Sequence, residues 1–334
     1  MLITFSPARD AMMKTYKQLT YKQRCQIYAL KKTGISQQEI ADNIGVSQSA
    51  ISRELQRNTG QRGYRIEQAQ SFCNDRRLAA KKSIKLTADV IHLIKKKLKL
   101  KWSPEQISGW LKEEKGLQIS HETIYKYIRA DRNAGGTLFN HLRRCGKAYR
   151  KDAKSQAGRG FIKNRVSIDE RPPVVDEKSR VGDWEIDLVI GKGHSGAIVT
   201  IVERKLSFTV SKRVNSKSAE IVTAATIELL APYKDAVLTI TADNGKEFAY
   251  HEEMTAALGA AVYFADPYSS WQRGLNENTN GLLRQYWPKQ TDFKKVSPKE
   301  VSSVIVQLND RPRKKLNYQT PAKLMAEHMA VLAA

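Results

Sequence analysis

The stretch DWEIDLVIGKGHSGAIVTIVERKLSFTVSKRV, residues 183–214, decides the fold class. Apolar and β-branched side chains dominate 184–190, 197–202 and 208–214, each of strand length. The turn Gly191-Lys192-Gly193-His194-Ser195-Gly196 joins the first two. Downstream the pattern becomes an alternation: a helix over about 219–230, a strand over 236–242, a helix over 247–258, a short strand over 261–264 and another helix after Gly274.

Three antiparallel strands followed by α/β units predict an RNase H-like core. Acids placed on such a core suggest its chemistry. Phosphodiester cleavage without a covalent enzyme intermediate needs a nucleophilic water or hydroxyl and a stabilised leaving oxygen, both of which paired divalent cations provide. Carboxylate oxygens suit those cations. Asp187 lies in the first strand, Asp243 ends the strand Thr239-Ile240-Thr241-Ala242, and Glu277 follows 34 residues later on a helix. Strand alternation puts Asp183, Glu185 and Asp187 on one face, so geometry leaves three candidates for the first position. Asn244, Lys246, Gln272, Arg273, Asn276 and Asn280 cluster around the acids, and Lys246 and Arg273 are the candidate DNA contacts among them. Trp184, Trp271 and Trp287 read as packing residues.

The N-terminal half is helical. A helix begins at Tyr21, carries Ile27 and Leu30 on one face and stops at Thr33-Gly34. Ser36-Gln37-Gln38-Glu39 is a capping box, and the helix it opens ends at Gly45. A third helix starts at Ser47, turns Ile51 and Leu55 inward and leaves Gln48, Ser49, Ser52, Arg53 and Arg57 outside. Helix, glycine turn and a second helix with a polar, basic face is the helix-turn-helix plan. The plan recurs after a basic connecting stretch containing Lys81, Lys82, Lys85, Lys95, Lys96 and Lys97. Ser103-Pro104-Glu105-Gln106 opens a helix with Ile107, Trp110 and Leu111 inward, Gly116 ends it, and Ser120 opens a last helix that offers His121, Thr123, Lys126 and Arg129 to DNA.

Charge supports that reading. Residues 1–180 hold 38 of the 57 Lys and Arg but only 17 of the 34 Asp and Glu. Such a field favours a polyanion, with binding that weakens as salt rises. No helix combines a basic face with a large apolar one, and no window is long and apolar enough for a membrane span, so no membrane partner is expected. Cys25, Cys73 and Cys145 are far apart, without C-x-x-C spacing, which argues against a zinc site or a disulfide framework and fits a reducing cytosol. The expected organisation is multidomain: a first helix-turn-helix domain (1–65), a second (66–140), a basic linker (141–173) able to track the phosphate backbone, and an α/β RNase H-like, integrase-type catalytic domain (174–334).

Several runs resemble the IS-thirty family of bacterial insertion-sequence transposases: Trp271-Gln272-Arg273-Gly274-Leu275-Asn276-Glu277-Asn278-Thr279-Asn280-Gly281, Asp243-Asn244-Gly245-Lys246-Glu247 and Asp183-Trp184-Glu185-Ile186-Asp187. The likeness extends to Ile51-Ser52-Arg53-Glu54-Leu55, Trp102-Ser103-Pro104-Glu105-Gln106-Ile107, Val166-Ser167-Ile168-Asp169-Glu170-Arg171-Pro172, Asn309-Asp310-Arg311-Pro312-Arg313 and Asn317-Tyr318-Gln319-Thr320-Pro321, nearly the whole chain, as for a full-length protein. The resemblance, not the spacing, selects Asp187, Asp243 and Glu277 as the acidic triad and Arg284, seven residues after Glu277, as its basic companion. It implies an Mg2+-dependent (or Mn2+-dependent) transposase with two ions per site. Its partners would be double-stranded DNA, as terminal inverted repeats and target, and at least one further copy of the chain. It further implies a circular intermediate, and a cytoplasmic, nucleoid-associated protein. The alternatives are a catalytically inactive DNA-binding repressor, or an integrase or nuclease with the same core acting at one fixed site.

Overall fold

The computed structural model describes residues 18–80, 86–143, 162–267 and 269–334, without the side chains of His194 and Ser270. Lys81, Lys82, Lys85, Cys145 and most of the basic linker lie outside the described residues. The chain divides into two compact units, Met1–Ile84 and Lys85–Ala334.

The first unit contains α1 (Tyr21–Lys32), α2 (Gln37–Ile44) and α3 (Gln48–Asn58). Ser36 and Glu39 satisfy each other's backbone N–H at the start of α2, and Gly45 ends it with φ +69°, a conformation that a Cβ would strain. Ser47 caps α3, whose Ile51 and Leu55 are buried with Ile27, Ile40 and Ala41. A short hairpin, β1 (Thr59–Gly60) and β2 (Gly63–Tyr64), and α4 (Ile66–Ala79) complete the unit. Tyr64 and Ala69 join its core, so α4, grouped on sequence with the second module, packs on α1 and α3. A buried ion pair, Arg24 Nε to Glu54 Oε1 at 2.7 Å, ties α1 to α3.

The second unit opens with α5 (Ala88–Lys99), α6 (Pro104–Lys115) and α7 (His121–Asn133). The lysine-rich stretch read as a connection is in part helix α5, because Val90, Ile94 and Leu98 recur at i, i+4 and i+8 and are buried among the lysines. The Ser103–Gln106 capping box and the positive φ of Gly116 form as expected, and Ile107, Leu111, Ile124 and Ile128 close the core. Trp110 is only half-buried, edge-on to Trp102.

After α8 (Val174–Glu177) come β3 (Asp183–Ile190), β4 (Ala197–Glu203), β5 (Thr209–Val214), α9 (Ala219–Leu230), β6 (Thr239–Ala242), α10 (His251–Leu258), β7 (Ala261–Phe264), α11 (Gly274–Leu283), α12 (Pro298–Asn309) and α13 (Pro321–Leu332). The sheet order is β5-β4-β3-β6-β7, with β3, β4 and β5 antiparallel and β6 and β7 parallel to β3. This is the RNase H-like arrangement anticipated. Alternation along β3 sends Ile186 and Leu188 to one face, packed with Val222 and Met254, and Val189 to the other, packed with Leu283, Trp287 and Val304. Asp187 shares the parity of Val189, which points it toward α11. β6 is shorter than the apolar pattern suggested because Ala231–Ala236 turns as a 3-10 helix, and Lys246–Phe248 is another such turn ahead of α10.

Candidate active site

The three acids of β3 separate by their partners. Asp183 is fully buried, receiving Arg180 Nε at 2.9 Å, Arg180 Nη2 at 3.0 Å and Thr239 Oγ1 at 2.8 Å. Glu185 is equally buried, accepting from Arg204 Nη1 at 2.8 Å and from the Asn276 backbone N–H at 3.0 Å. Glu185 thereby satisfies an N–H in the first turn of α11 and fixes where that helix begins. Asp187 alone of the three remains part-exposed, accepting from Asn280 Nδ2 at 2.9 Å and the Leu188 N–H at 2.9 Å. Asn280 is itself held by Thr200 Oγ1 at 3.1 Å across β4.

Asp243 stands at the end of β6, two strands' edges meeting there because β3 and β6 are parallel neighbours. Its Oδ1 accepts from the Gly245 N–H at 2.9 Å, which folds the turn back on itself. Between the two aspartates lies the Arg273 guanidinium: Nη2 is 3.1 Å from Asp243 Oδ2, Nη1 is 3.5 Å from Asp187 Oδ1, and Nη1 also donates to the Ile186 carbonyl at 3.2 Å. Burial pushes the Asp187 carboxyl up to about 6; Arg273 pulls it down and the Asp243 charge raises it again. The donor set suits a divalent cation, with hard oxygens on adjacent strands and a positive group already drawn between them.

Glu277 is exposed on α11, one turn before Asn280. Among the described residues no three His, Cys, Asp or Glu side chains stand close enough to share a metal ion. The structure therefore pairs Asp187 with Asp243 and leaves Glu277 apart, on the helix that Asn280 ties to Asp187. Arg284 caps the end of α11; its Nη2 donates to the Ile190 carbonyl at 2.9 Å and its guanidinium stands 5.8 Å from the Phe293 ring. Burial lowers its pKa, and its Nη1 is buried with no hydrogen-bond partner. Lys246 is exposed beside Asp243, whereas Gln272 is engaged with Asp266. The roles of Asn280 and Arg273 as the groups that orient and bridge the aspartates were not legible beforehand, since nothing in local spacing aims a side chain across 93 or 30 residues.

The outward faces of α3 and α7 are open. Gln48, Ser49, Arg53 and Arg57 are exposed on α3 and Ser52 is half-buried; Arg53 Nε folds back onto the Ser49 carbonyl at 3.0 Å. On α7, His121, Lys126 and Arg129 are exposed, and Thr123 is partly used in the cap, its Oγ1 2.9 Å from Ser120 Oγ.

A family model described as a helix-turn-helix domain matches residues 15–58. The transposase for insertion sequence element IS4351 of Bacteroides fragilis is 45% identical over 307 residues, covering 91% of this chain and 94% of its own length. Transposase InsI for insertion sequence element IS30A of Escherichia coli (strain K12) is 39% identical over 326 residues, covering 94% of this chain and 84% of its own. Among solved structures, the catalytic core domain of BIV integrase aligns over 46% of this chain and 100% of its own, at 20% identity and a TM-score of 0.37.

Proposed function

Since this chain belongs to the IS30 family of bacterial insertion-sequence transposases, we propose that Asp187, Asp243 and Glu277 are its catalytic acids and that its helix-turn-helix modules bind the terminal inverted repeats of its own element. The chain is a DNA-binding transposase of the DDE type. The observation that carries the active-site reading is the pair of aspartates drawn around one cationic group at the ends of β3 and β6.

Two Mg2+ or Mn2+ ions held by Asp187 and Asp243, with Glu277 brought in from α11, would supply an activated water or 3′-hydroxyl and a stabilised leaving oxygen. Asn280 keeps Asp187 aimed at the site, and α11 carries that amide and Glu277 on one face. Arg284, the basic companion of the acids, would reach a DNA phosphate only by turning outward, since its Nη1 is buried and its Nη2 is held by the Ile190 carbonyl. Lys246, exposed, adds a phosphate contact. Joining two element ends calls for at least two copies of the chain, acting on nucleoid DNA in the cytoplasm. No helix among the described residues is long and apolar enough to cross a membrane.

The test is incubation of purified protein with labelled DNA carrying the repeats that flank its gene, in Mg2+ and in EDTA. Metal-dependent nicking and joining at the repeat tips is expected; tight binding without strand breakage would point to a repressor.

Arg273 has two states in this reading. It neutralises Asp187 and Asp243 here, and would yield to cations held by the two carboxylates, freeing its guanidinium for the DNA backbone. Arg273→Gln removes the internal competitor, so Mn2+ affinity, read by electron paramagnetic resonance in the absence of DNA, rises roughly fivefold, the equivalent of an ion pair of about 1 kcal/mol. Weaker Mn2+ binding would mean that Arg273 preorganises the carboxylates. On α3, Arg53→Ala is expected to weaken repeat binding by roughly 1–3 kcal/mol, the size of one base contact. Equal loss on random DNA would assign Arg53 to phosphate.

A further inference from the structure

Within the second unit, the module α5–α7 meets the catalytic core at two places, each built around a glycine. On α6, Gly109 is an interior, buried helix position, where glycine is about 1 kcal/mol worse than alanine. A Cβ there would overlap the ring of Tyr318, which follows α12 in the core. Tyr318 is held with φ +62°, directly after Asn317 at φ +51°, two uncommon left-handed residues in succession. The Tyr318 N–H donates to the Arg313 carbonyl at 2.9 Å, and the Arg313 N–H to the Gln319 carbonyl at 3.0 Å. The chain thus accepts unfavourable backbone on one side and a helix-weakening residue on the other to bring ring and helix into contact. Lys314 Nζ to Glu105 Oε1 at 3.0 Å and Lys101 Nζ, 5.4 Å from the Tyr286 ring, lie along the same seam.

The second contact touches the catalytic helix. Arg143 follows the turn Leu138–His141, whose Leu138 belongs to the module's core. Its Nη1 donates to Asn278 Oδ1 at 2.8 Å and its Nη2 to the Asn278 carbonyl at 3.3 Å. A Cβ at Gly281, one turn on, would collide with that guanidinium. Asn278 adjoins Glu277, and Asn280 holds Asp187. Beside the first contact, a groove of about 740 Å³ is lined by Trp102 and Trp110 of the module and by Pro312, Tyr318 and Lys323 of the core; the module grips the core at the two glycine-built contacts, a clamp at two points. The reading face of α7 lies outside it, with His121, Lys126 and Arg129 exposed.

We propose that this clamp makes the second helix-turn-helix module a ruler: DNA read by α7 is held at a fixed offset from Asp187 and Asp243, so that one phosphodiester is cut. Gly109 and Asn278 are its positioning residues. The proposal rests on the transposase reading above, and adds that the cut is measured from the bound sequence.

The experiment maps cleavage on repeat DNA in Mg2+ with the full-length wild type, Gly109→Ala and Asn278→Ala, alongside repeat affinity. The wild type cuts one position, and when two base pairs are inserted between the repeat and the element tip, the cut keeps its distance from the repeat. Gly109→Ala improves the helix intrinsically while wedging the seam; Asn278→Ala removes the shorter, side-chain bond of the second contact, leaving only the 3.3 Å bond to the Asn278 carbonyl, without touching either core. Both are expected to bind the repeat as the wild type does. Cutting at the wild-type position should fall roughly 10²-fold, as for a misplacement of about 1 Å, with neighbouring phosphodiesters cut instead. Single-position cutting at the wild-type rate by both variants, or a wild-type cut that follows the tip in the inserted substrate, overturns the ruler. Absence of any wild-type cut would instead overturn the transposase reading itself.

Discussion

Asp243→Asn is expected to abolish strand cleavage while leaving repeat binding intact. The substitution keeps the shape of the side chain and its turn: an amide oxygen can still accept from the Gly245 N–H that Asp243 Oδ1 now accepts at 2.9 Å. It removes the negative charge facing Arg273 Nη2 at 3.1 Å, the charge that a divalent cation needs opposite it. Metal assistance is worth several kcal/mol of barrier, and each 1.36 kcal/mol is tenfold in rate, so a loss of roughly 10³-fold or more is expected. In the proposed reading, binding is set elsewhere, by α3 and α7. Single-turnover cleavage and a gel-shift titration on the same DNA separate the two effects. Cleavage within tenfold of wild type would remove Asp243 from the acidic set, and parallel loss of binding would show that the substitution disturbs the fold.

What could be read beforehand was whatever chemistry is local. Ser36 with Glu39, Ser103 with Gln106, Gly45 and Gly116 fix helix ends within four residues of themselves, and all four form as the sequence predicts. The strands were visible as runs of apolar and β-branched residues of strand length, the pattern of a sheet covered on both faces. What escaped is decided by distance in sequence. The lysines of α5 hide Val90, Ile94 and Leu98 in a stretch that composition alone reads as a basic tether. Asp183, Glu185 and Asp187 have one periodicity, and only Arg180, Arg204 and Asn280 tell them apart, two by closing on the buried pair and one by orienting the part-exposed acid. The resemblance selected Asp187; the fold supplies the physical reason that Asp183 and Glu185 are committed to holding the sheet and α11 together. Glu54 escaped in the same way, because its partner Arg24 stands 30 residues earlier in the chain.

Glu54→Ala is expected to destabilise the first unit by about 3–5 kcal/mol, the cost of breaking a buried ion pair from one side. Glu54 is 7% exposed and takes Arg24 at both oxygens, Nε to Oε1 at 2.7 Å and Nη2 to Oε2 at 3.3 Å. The Tyr64 hydroxyl also donates to Oε1 at 3.2 Å, with its pKa raised by burial first and by the Glu54 charge second. Removing the carboxylate strands a guanidinium that is 3% exposed, together with a buried hydroxyl, and only the Leu19 carbonyl at 3.0 Å and Gln70 Oε1 at 2.9 Å remain for Arg24. Replacing both partners, Arg24→Met with Glu54→Leu, removes the charges together and should be far less harmful than Glu54→Ala alone. Hydrogen exchange of the α1 and α3 amides in the full-length chain reads the difference region by region. Glu54→Ala should raise exchange throughout both helices, and repeat binding should fall with it because Arg53 is presented by the same turn. A loss below about 1 kcal/mol, or a double variant no better than the single one, would mean that solvent reaches the pair and that the apolar residues of the first unit hold α1 to α3 without it.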